Sequence, residues 1–539
     1  MERPVVTSRR TAKDIMTSHG PFAERSYRMD KKTTPRLYER SALTIPELLI
    51  RGASDAPALL APDHRELTFQ TLRRRVHALA QRLVSFELGG ERIAIVMESG
   101  PNLVISLLAA SICGTAVPLN PKYRTAEFSF FYEDADVKGL IAAPETFPEA
   151  FAAAPPGTVV VHAVGEQSET LRFESTGPEH SGDRLKIPLP DDVAILMHTS
   201  GTTKRPKSVP IRHRNVAASA LNIVNAYSLT PDDRSLCVMP LFHIHGIVAS
   251  MLAPLAGGGS VVCPPGFDAR LFWGWVDEFH PTWYSAVPTM HQMLLARADR
   301  HAEIISKNPF RFIRSCSSPL PPTVKNQLKT VFGAPVTEAY GMTETAHQIA
   351  SNPLPPGISK PGAVGYGTGV EMAIMDEEGN LLLSGVPGEV VVRGLNVVDG
   401  YENNPEANKE AFVKGWLRTG DYGVVDEDGY LIITGRLSER INRGGEKISP
   451  ADIDYALLDH PAVAEALAFA VPHKKLGEDV HAAVVLNAPA TEQELRKHCS
   501  EHVADFKVPR RIYILEALPY GKTGKPMRIT MAEMLGLKE

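Results

Sequence analysis

Apolar side chains in the first part of the chain follow two different spacings. Between Phe69 and Leu88 they recur every three or four residues, which predicts an amphipathic helix. Thr68 can cap the start of this helix, and the Gly89-Gly90 pair can end it. Because further segments alternate between strand and helix patterns, we expect an α/β fold with largely parallel sheets. Short apolar runs bounded by turn residues predict buried strands at 92–97, 193–197, 235–239, 259–263 and 310–315.

The spacing of turn residues changes near residue 370. Turn pairs such as Pro387-Gly388 and Asp428-Gly429 separate short strands, which predicts hairpins and a small β-rich unit. After Gly435 the chain shows its own alternation of strands and helices, as in a small α+β domain. We therefore expect a large N-terminal domain over residues 43–435 and a small C-terminal domain over residues 436–539.

The beginning of the sequence differs in charge from the rest. Residues 1–40 carry ten Lys and Arg against five Asp and Glu, and they lack the apolar core of a secretory signal. We expect a flexible extension over residues 1–42, because chain ends that are not tied down are commonly poorly ordered.

Composition excludes several classes of function. With 57 Lys and Arg against 62 Asp and Glu, the net charge of −5 favours no nucleic-acid partner. No apolar stretch reaches the roughly 18 uninterrupted residues of a membrane-spanning helix, so no membrane partner is expected. The five cysteines are odd in number and form no CxxC pair, which argues against a disulfide framework and cysteine-bound zinc. We expect a reducing, cytoplasmic location.

A loop rich in hydroxyls and cations directly follows the predicted strand at 193–197. Residues 198–208 contain a glycine, several Ser and Thr side chains, and the cations Lys204, Arg205 and Lys207. Such a loop can surround a polyphosphate, although it is also an ordinary composition for a solvated turn. Its spacing does not match the Walker nucleotide loop.

Four further segments carry groups suited to a nucleotide. Residues 338–344 place an aromatic ring beside a glycine, followed by a hydroxyl and a carboxylate, which can stack a base and hold a hard cation. Asp421 follows a tight turn and suits ribose hydroxyls. Residues 435–450 form a polar junction, and residues 519–528 form a lysine-rich loop. Each segment alone also fits ordinary turn chemistry.

In this order and at these distances, the five segments resemble the acyl-adenylate-forming superfamily of acyl-CoA synthetases, peptide-synthetase adenylation domains and luciferases. The resemblance runs from about residue 43 to about residue 530. Within the superfamily, residues 240–246, 284–291 and 442–450 are most similar to acid–CoA ligases of the oxalate–CoA ligase type.

The resemblance implies a site for ATP and Mg²⁺. The loop from Ser200 to Lys207 would hold the β- and γ-phosphates, and Tyr340 would contact adenine. Thr343 and Glu344 would face the α-phosphate, with Glu344 as the ligand of the metal. The complete set of nucleotide-binding residues that the resemblance implies is Thr199, Ser200, Gly201, Thr202, Thr203, Lys204, Lys207, Ser317, Glu338, Tyr340, Gly341, Thr343, Asp421 and Arg436.

The resemblance also implies how the acid and CoA bind. Lys525, on a mobile C-terminal domain, would be catalytic and bridge the substrate carboxylate and the α-phosphate. Thr343, Glu344 and His243 complete the implied catalytic set, with His243 beside the acyl pocket. Gly444 and Gly445 would lie near the CoA thiol. Further neighbours of the acyl pocket in the family layout are Tyr284, Ser317, Ser318 and His347.

Several positions depart from the pattern of the family. Lys204 and Ser208 stand where the phosphate loop usually has glycine, and Ser208 would be strained if its backbone needed a positive φ. Ser438 stands at the hinge, where Asp or Lys is common. On a strand, His243 and His245 would face the same side, but no third or fourth metal ligand accompanies them.

The implied reaction joins a carboxylic acid to ATP, releases pyrophosphate and transfers the acyl group from AMP to CoA. Fixed cations would be its main catalytic contribution, and no general base is needed because the carboxylate is ionised at neutral pH. One alternative is an adenylating enzyme that passes the acyl group to a carrier protein or a separate acyltransferase. Another is a non-catalytic nucleotide-binding protein, which the presence of Lys525, Glu344 and Asp421 disfavours. Both a small dicarboxylate and a bulky secondary-metabolite acid remain open as substrates.

Overall fold

A computed structural model of the chain describes residues 43–143, 146–164, 172–175, 180, 184–199, 206–520 and 526–537. The extension expected at residues 1–42 lies outside the described residues. The described residues belong to one compact unit, and the domain division at residue 435 stays a prediction. Among these residues, none of the helices is long and apolar enough to cross a membrane.

The largest sheet in the described chain is parallel through its middle and antiparallel at its edges. Its central strands bury aromatic side chains such as Trp283 and Phe312, which stack at 5.0 Å. In spatial order its strands are Tyr366–Gly367, His347–Ser351, Val336–Met342, Phe312–Ser315, Trp283–Ala286, Arg234–Leu236, Ser260–Val262, Pro57–Leu60 and Leu67–Thr68.

A second sheet carries the two strands that flank the segment expected to bind phosphate. Its inner strands pair in parallel, and its last two strands pair antiparallel, with Thr199 opposite Lys207. The two ends of the loop are therefore held side by side. In spatial order the strands are Arg172–Ser175, Val159–Val164, Gly139–Ala142, Arg92–Val96, Thr115–Pro118, Val193–Thr199 and Lys207–Arg212.

Helices cover both large sheets, as the apolar pattern predicts. The helix expected from Phe69 is confirmed at Phe69–Ser85, and Thr68 Oγ1 caps it by accepting a hydrogen bond from the Thr71 amide at 3.3 Å. The other α-helices in this part of the described chain are Ile45–Leu49, Pro101–Cys113, Thr125–Asp134, Pro148–Ala152, His213–Tyr227, Ala253–Ala256, Phe272–Phe279, Pro288–Leu295, Ala302–Lys307 and Pro322–Phe332.

The expected β-rich unit is present and antiparallel. The Asp428-Gly429 turn joins two of its strands, as the sequence predicts. A helix, Pro405–Ala411, precedes its shortest strand. The strands are Glu371–Met375, Gly388–Arg393, Phe412–Val413, Trp416–Val425 and Leu431–Arg436.

The last part of the chain forms a mixed sheet packed against helices, which confirms the α+β expectation. Its core includes Ile453, Leu495 and Cys499, all fully buried. The strands are Ile441–Arg443, Glu446–Ile448, Val463–His473, Gly477–Leu486 and Arg511–Leu515, and the α-helices are Pro450–Leu458, Glu492–His502 and Met531–Met534.

Candidate active site

Two charged residues of the β-rich unit form the centre of a polar cluster. Asp421 and Arg436 face each other across neighbouring antiparallel strands, with Arg436 Nε 3.0 Å from Asp421 Oδ1. Tyr340, from the largest sheet, donates its hydroxyl to Asp421 Oδ2 at 2.5 Å. Asp421 is 4% exposed, so the Arg436 charge compensates a carboxylate that is largely out of water. Three residues implied at the nucleoside thus meet at one place.

The Tyr340 phenol acts as a hydrogen-bond donor in this cluster. Burial, together with the negative charge of Asp421, raises the pKa of Tyr340 well above its usual value. The hydroxyl therefore keeps its proton at neutral pH and fixes the Asp421 carboxylate in orientation.

Gly341 permits a close backbone approach beside Tyr340. The strand has a bulge between these two residues, and a Cβ on Gly341 would lie 1.4 Å from the His347 carbonyl oxygen. A side chain at this position would force the two strands apart. Glycine is therefore required where this strand passes His347, just before the short 3₁₀ turn Thr343–Thr345.

Tyr401 links Glu344 of this turn to Lys207, the first residue of the strand Lys207–Arg212. Glu344 is 6% exposed, and its Oε1 accepts a hydrogen bond from the Tyr401 hydroxyl at 2.8 Å. Lys207 Nζ lies 4.6 Å from the centre of the Tyr401 ring, a distance typical of a cation–π contact. Burial, and then the Glu344 carboxylate, raises the pKa of Tyr401. No local sequence pattern pointed to Tyr401.

The backbone strain considered for Ser208 does not occur. Ser208 lies in the extended strand Lys207–Arg212 and pairs with His198, and its φ is not in the left-handed region. Its hydroxyl donates to Asp134 Oδ2 at 2.5 Å, and His198 Nε2 lies 3.1 Å from the same oxygen. A serine side chain is useful here because it anchors the strand that leaves the loop. The expectations for residues 200–205, including Lys204, and for Lys525 lie outside the described residues.

A fully buried guanidinium, Arg314, occupies the strand Phe312–Ser315. Its exposure is 0%. No carboxylate is among its hydrogen-bond partners within the described residues, which is uncommon for a charge removed from water. The partners are Tyr227 Oη at 3.0 Å, Ser285 Oγ at 2.9 Å, His245 Nε2 at 3.2 Å, His347 Nε2 at 2.9 Å and Gln348 Oε1 at 2.9 Å.

Arg314 sets the protonation state of two histidines. A guanidinium can only donate, so Nε2 of His245 and of His347 must accept, and each ring carries its proton on Nδ1. Burial, followed by neighbouring positive or imidazole groups, holds the pKa of both histidines well below the usual value. Both rings are therefore neutral at pH 7, and they stack with centroids 4.8 Å apart.

This polar network reaches the protein surface at Ser317. His245 Nδ1 donates to Ser317 Oγ at 3.0 Å, and Ser317 is exposed. Ser317 and His347 both have left-handed backbone, with φ of 73° and 100°, and such strain in non-glycine residues concentrates at functional sites. A path therefore runs from solvent through Ser317 and His245 to the buried Arg314.

The structure places the other expected residues as follows. His243 precedes a π-helix, His245–Leu252, and the Ile247 amide donates to its carbonyl at 3.0 Å, so His243 and His245 do not lie on a strand. Tyr284 is fully buried, with its hydroxyl 3.2 Å from His291 Nδ1. Glu338 Oε1 lies 2.6 Å from Lys325 Nζ.

The expected CoA residues form a tight turn. Gly444 and Gly445 join the strands Ile441–Arg443 and Glu446–Ile448, and their φ angles are +63° and +102°. Positive φ at both central positions is the conformation of a two-residue hairpin turn that favours glycine. The pair therefore exposes backbone with no side chain in the way.

Comparison with known proteins decides the family. Residues 49–402 match the model of the AMP-binding enzyme family, and residues 452–525 match the model of the AMP-binding enzyme C-terminal domain. The chain belongs to the AMP-binding enzyme family. This confirms the expected acyl-adenylate-forming superfamily, and the two matched segments span most of the described sheets.

Relatives of this AMP-binding enzyme are acid–CoA ligases. The chain is 41% identical to an oxalate–CoA ligase of Arabidopsis thaliana, covering 94% of this chain and 99% of the relative. It is also 41% identical to an oxalate–CoA ligase of Saccharomyces cerevisiae, covering 82% and 86%. Among solved structures, ATP-bound MatB from Rhodopseudomonas palustris is similar with a TM-score of 0.82 at 29% identity, covering 92% and 99%. These findings confirm the expected class, an ATP-dependent acid–CoA ligase.

Proposed function

We propose that this AMP-binding enzyme activates a small carboxylic acid that carries a second anionic group. The acid reacts with ATP to give acyl-AMP and pyrophosphate, and the CoA thiol then displaces AMP to give acyl-CoA. Arg314 is the observation that carries the choice of acid, because it is a buried cation with no carboxylate partner within the described residues. The names of the oxalate–CoA ligase relatives support the same class.

In this proposal the polar cluster of the β-rich unit holds the nucleoside. The Asp421 carboxylate, fixed by Tyr340 and Arg436, accepts hydrogen bonds from the ribose hydroxyls. Lys207 neutralises phosphate charge at the end of the phosphate loop. Fixed cations of this kind lower the barrier to attack by a carboxylate on a polyanion, because they face the charge that develops during the reaction.

The oxygen donors of Thr343 and Glu344 fit Mg²⁺. Glu344 is a buried carboxylate steadied by the Tyr401 hydroxyl, and hard oxygen ligands are the ones that Mg²⁺ prefers. Glu344 and Thr343 would therefore hold the ion on the phosphate side of the site. When bound, the ion neutralises phosphate charge and orients the phosphates of ATP.

The second anionic group of the acid is recognised through the hydrogen-bonded path that runs from Ser317 through His245 to Arg314. His245 donates its Nδ1 proton to Ser317 Oγ, which leaves the Ser317 hydroxyl free to donate to the acid. The positive charge of Arg314 polarises His245 and His347 toward donation from Nδ1. A buried charge acts over a longer range than an exposed one, because little water screens it. An acid with a second carboxylate would gain more binding free energy from this positive field than an acid whose second group is neutral.

Pyrophosphate release with a panel of acids tests this function. Wild-type protein, ATP and Mg²⁺ should release pyrophosphate with oxalate or a similarly small dianionic acid, and added CoA should yield acyl-CoA. Glycolate, in which a neutral hydroxymethyl group replaces the second carboxylate of oxalate, is the matched control and should react far more slowly. Adenylation without thioester formation would favour transfer to a carrier protein instead. No release with any acid would contradict the enzyme assignment, and faster release with bulky neutral acids would contradict the substrate class.

Replacing Asp421 by Asn should weaken ATP binding by about ten- to a hundredfold. Hydrogen bonds to a charged group contribute about 1.5–3 kcal/mol, and Asn keeps the shape but loses the charge. Asn is a better test than Ala, because Ala would leave the space of the buried Asp421 side chain empty and remove the acceptor of the Tyr340 hydroxyl. Calorimetric titration with ATP measures the effect, and Asp426→Asn, in the same unit but paired with Lys360, is the control. An unchanged dissociation constant for Asp421→Asn would refute the ribose contact.

A further inference from the structure

A separate cluster of histidine and aspartate side chains lies at the ends of two C-terminal helices. Asp459 caps the carboxyl end of the helix Pro450–Leu458. His498 and His502 lie four residues apart on the helix Glu492–His502, so they share one helix face. One donor atom of each residue lies within 4.8 Å of the others. We propose that Asp459, His498 and His502 form a binding site for a divalent transition-metal ion of the zinc type.

His502 is already oriented as a metal ligand. Its Nδ1 donates to the backbone carbonyl of His498 at 2.8 Å, which leaves the Nε2 lone pair available. That Nε2 lies 3.6 Å from Asp459 Oδ2. Histidine ligands of metals commonly donate their other ring N–H to a carbonyl in this way, because the hydrogen bond fixes the tautomer and the ring orientation.

His498 provides a second, independent observation. Its Nε2 is buried and has no hydrogen-bond partner within the described residues. Native proteins rarely leave a buried polar atom unpaired, and a bound ion is one of the usual reasons for an exception. The centre of the His498 ring lies 4.3 Å from that of His502. A metal bound between the two rings would satisfy the unpaired nitrogen.

The chemistry of the donors selects the type of ion. Two imidazole nitrogens and one carboxylate suit zinc and similar transition metals, whereas Mg²⁺ prefers oxygen alone. Zinc–ligand bonds of about 2.0–2.1 Å place tetrahedral ligands about 3.3 Å apart, so donors that now lie within 4.8 Å of one another must approach by up to about 1.5 Å. The side chains of Asp459 and His502 are 59% and 40% exposed, and they can make this movement at little cost. Water would complete the coordination.

His460 lies beside the cluster but is engaged elsewhere. Its Nδ1 accepts a hydrogen bond from the Ala462 amide at 3.2 Å, and its ring packs edge-on to His498 with centroids 5.0 Å apart. It therefore supplies a matched control, because it is a neighbouring histidine outside the proposed ligand set.

A bound ion would join the end of one helix to the last turn of another. These helices pack on the core that contains Ile453, Leu495 and Cys499. Because the ligands come from both helices, binding favours the folded arrangement and should raise the thermal midpoint as metal is added.

Metal titration of the full-length chain, free of any affinity tag and stripped with EDTA, tests the site. Wild type should bind one equivalent of Zn²⁺ by calorimetry, and Co²⁺ should give the visible absorption of a nitrogen-and-oxygen site. His498→Gln and His502→Gln should each weaken Zn²⁺ binding by about 100-fold or more, since even loss of an outer-shell partner costs up to about that much. His460→Gln should bind as wild type does, and excess Mg²⁺ should not compete.

Thermal unfolding without metal checks that the variants fold alike. The midpoint of wild type and of His460→Gln should then rise with Zn²⁺, and that of His498→Gln should not. Failure of wild type to bind one equivalent, or equal affinity in His498→Gln, would overturn the proposed site. Equal loss of affinity in His460→Gln would overturn the proposed ligand set.

Discussion

Lys525→Ala is expected to reduce acyl-AMP formation by at least about a hundred- to a thousandfold while leaving thioester formation from supplied acyl-AMP nearly unchanged. The first half-reaction brings a carboxylate toward the α-phosphate, and the proposed role of Lys525 is to place one positive charge between them. Removing a single group that stabilises developing charge commonly costs this much in rate.

The two half-reactions must be measured separately. The proposed thioester step needs the C-terminal domain in a second orientation, with Gly444-Gly445 near the thiol, so Lys525 would not contribute to it. Lys522→Ala is the matched control, because it removes another lysine three positions away in the sequence. Adenylation at the wild-type rate by Lys525→Ala would show that the lysine is wrongly assigned. If wild type forms acyl-AMP but cannot make the thioester, Ser438, at the expected hinge, becomes the first position to replace by Asp or Lys.

Arg314→Gln is expected to remove most of the preference for dianionic acids. Truncating one partner of a buried charged interaction costs about 2–5 kcal/mol, which corresponds to about 30- to several thousand-fold in kcat/KM. The affected quantity is the ratio of kcat/KM for oxalate to that for glycolate, since the first carboxylate is common to both acids. ATP affinity should change little, because Arg314 contacts none of Tyr340, Asp421 and Arg436 among its hydrogen-bond partners.

Arg314→Lys separates charge from geometry. Lysine keeps the positive charge but cannot reproduce five donors in a fixed plane, so the acid ratio should fall by less than in Arg314→Gln. Thermal unfolding of both variants shows whether the fold survives. A folded Arg314→Gln enzyme with the wild-type acid ratio would mean that Arg314 has only a structural role.

Local patterns predicted the elements well, and long-range contacts explain what they missed. The helix at Phe69–Ser85 and the strand at Arg92–Val96 follow from spacing within a few residues. The strand geometry considered for His243 and His245 does not occur, because the His243 carbonyl accepts a hydrogen bond from the Ile247 amide where a helix begins. Nothing in the local sequence reveals that the chain returns to place Tyr401 against Glu344, 57 residues apart.

In the candidate site, too, local motifs predicted some residues, and long-range contacts determined others. The motifs predicted that Tyr340, Asp421 and Arg436 serve one ligand, and the structure brings them into contact. Arg314 was overlooked although a charged residue inside the apolar run 310–315 was a visible signal. Its meaning depends on five partners from four other segments, and their meeting is a property of the folded chain.

The two neutral histidines that accept hydrogen bonds from Arg314, His245 and His347, make the charge of the site insensitive to the pH of the cell. In each ring, the nitrogen that would take up a second proton already faces a guanidinium that can only donate. Acidification over the range in which free histidine titrates therefore leaves the charge of this pocket constant. In the proposed role of Arg314, the enzyme would therefore attract its acid substrate with the same electrostatic field before and after acid accumulates in its surroundings.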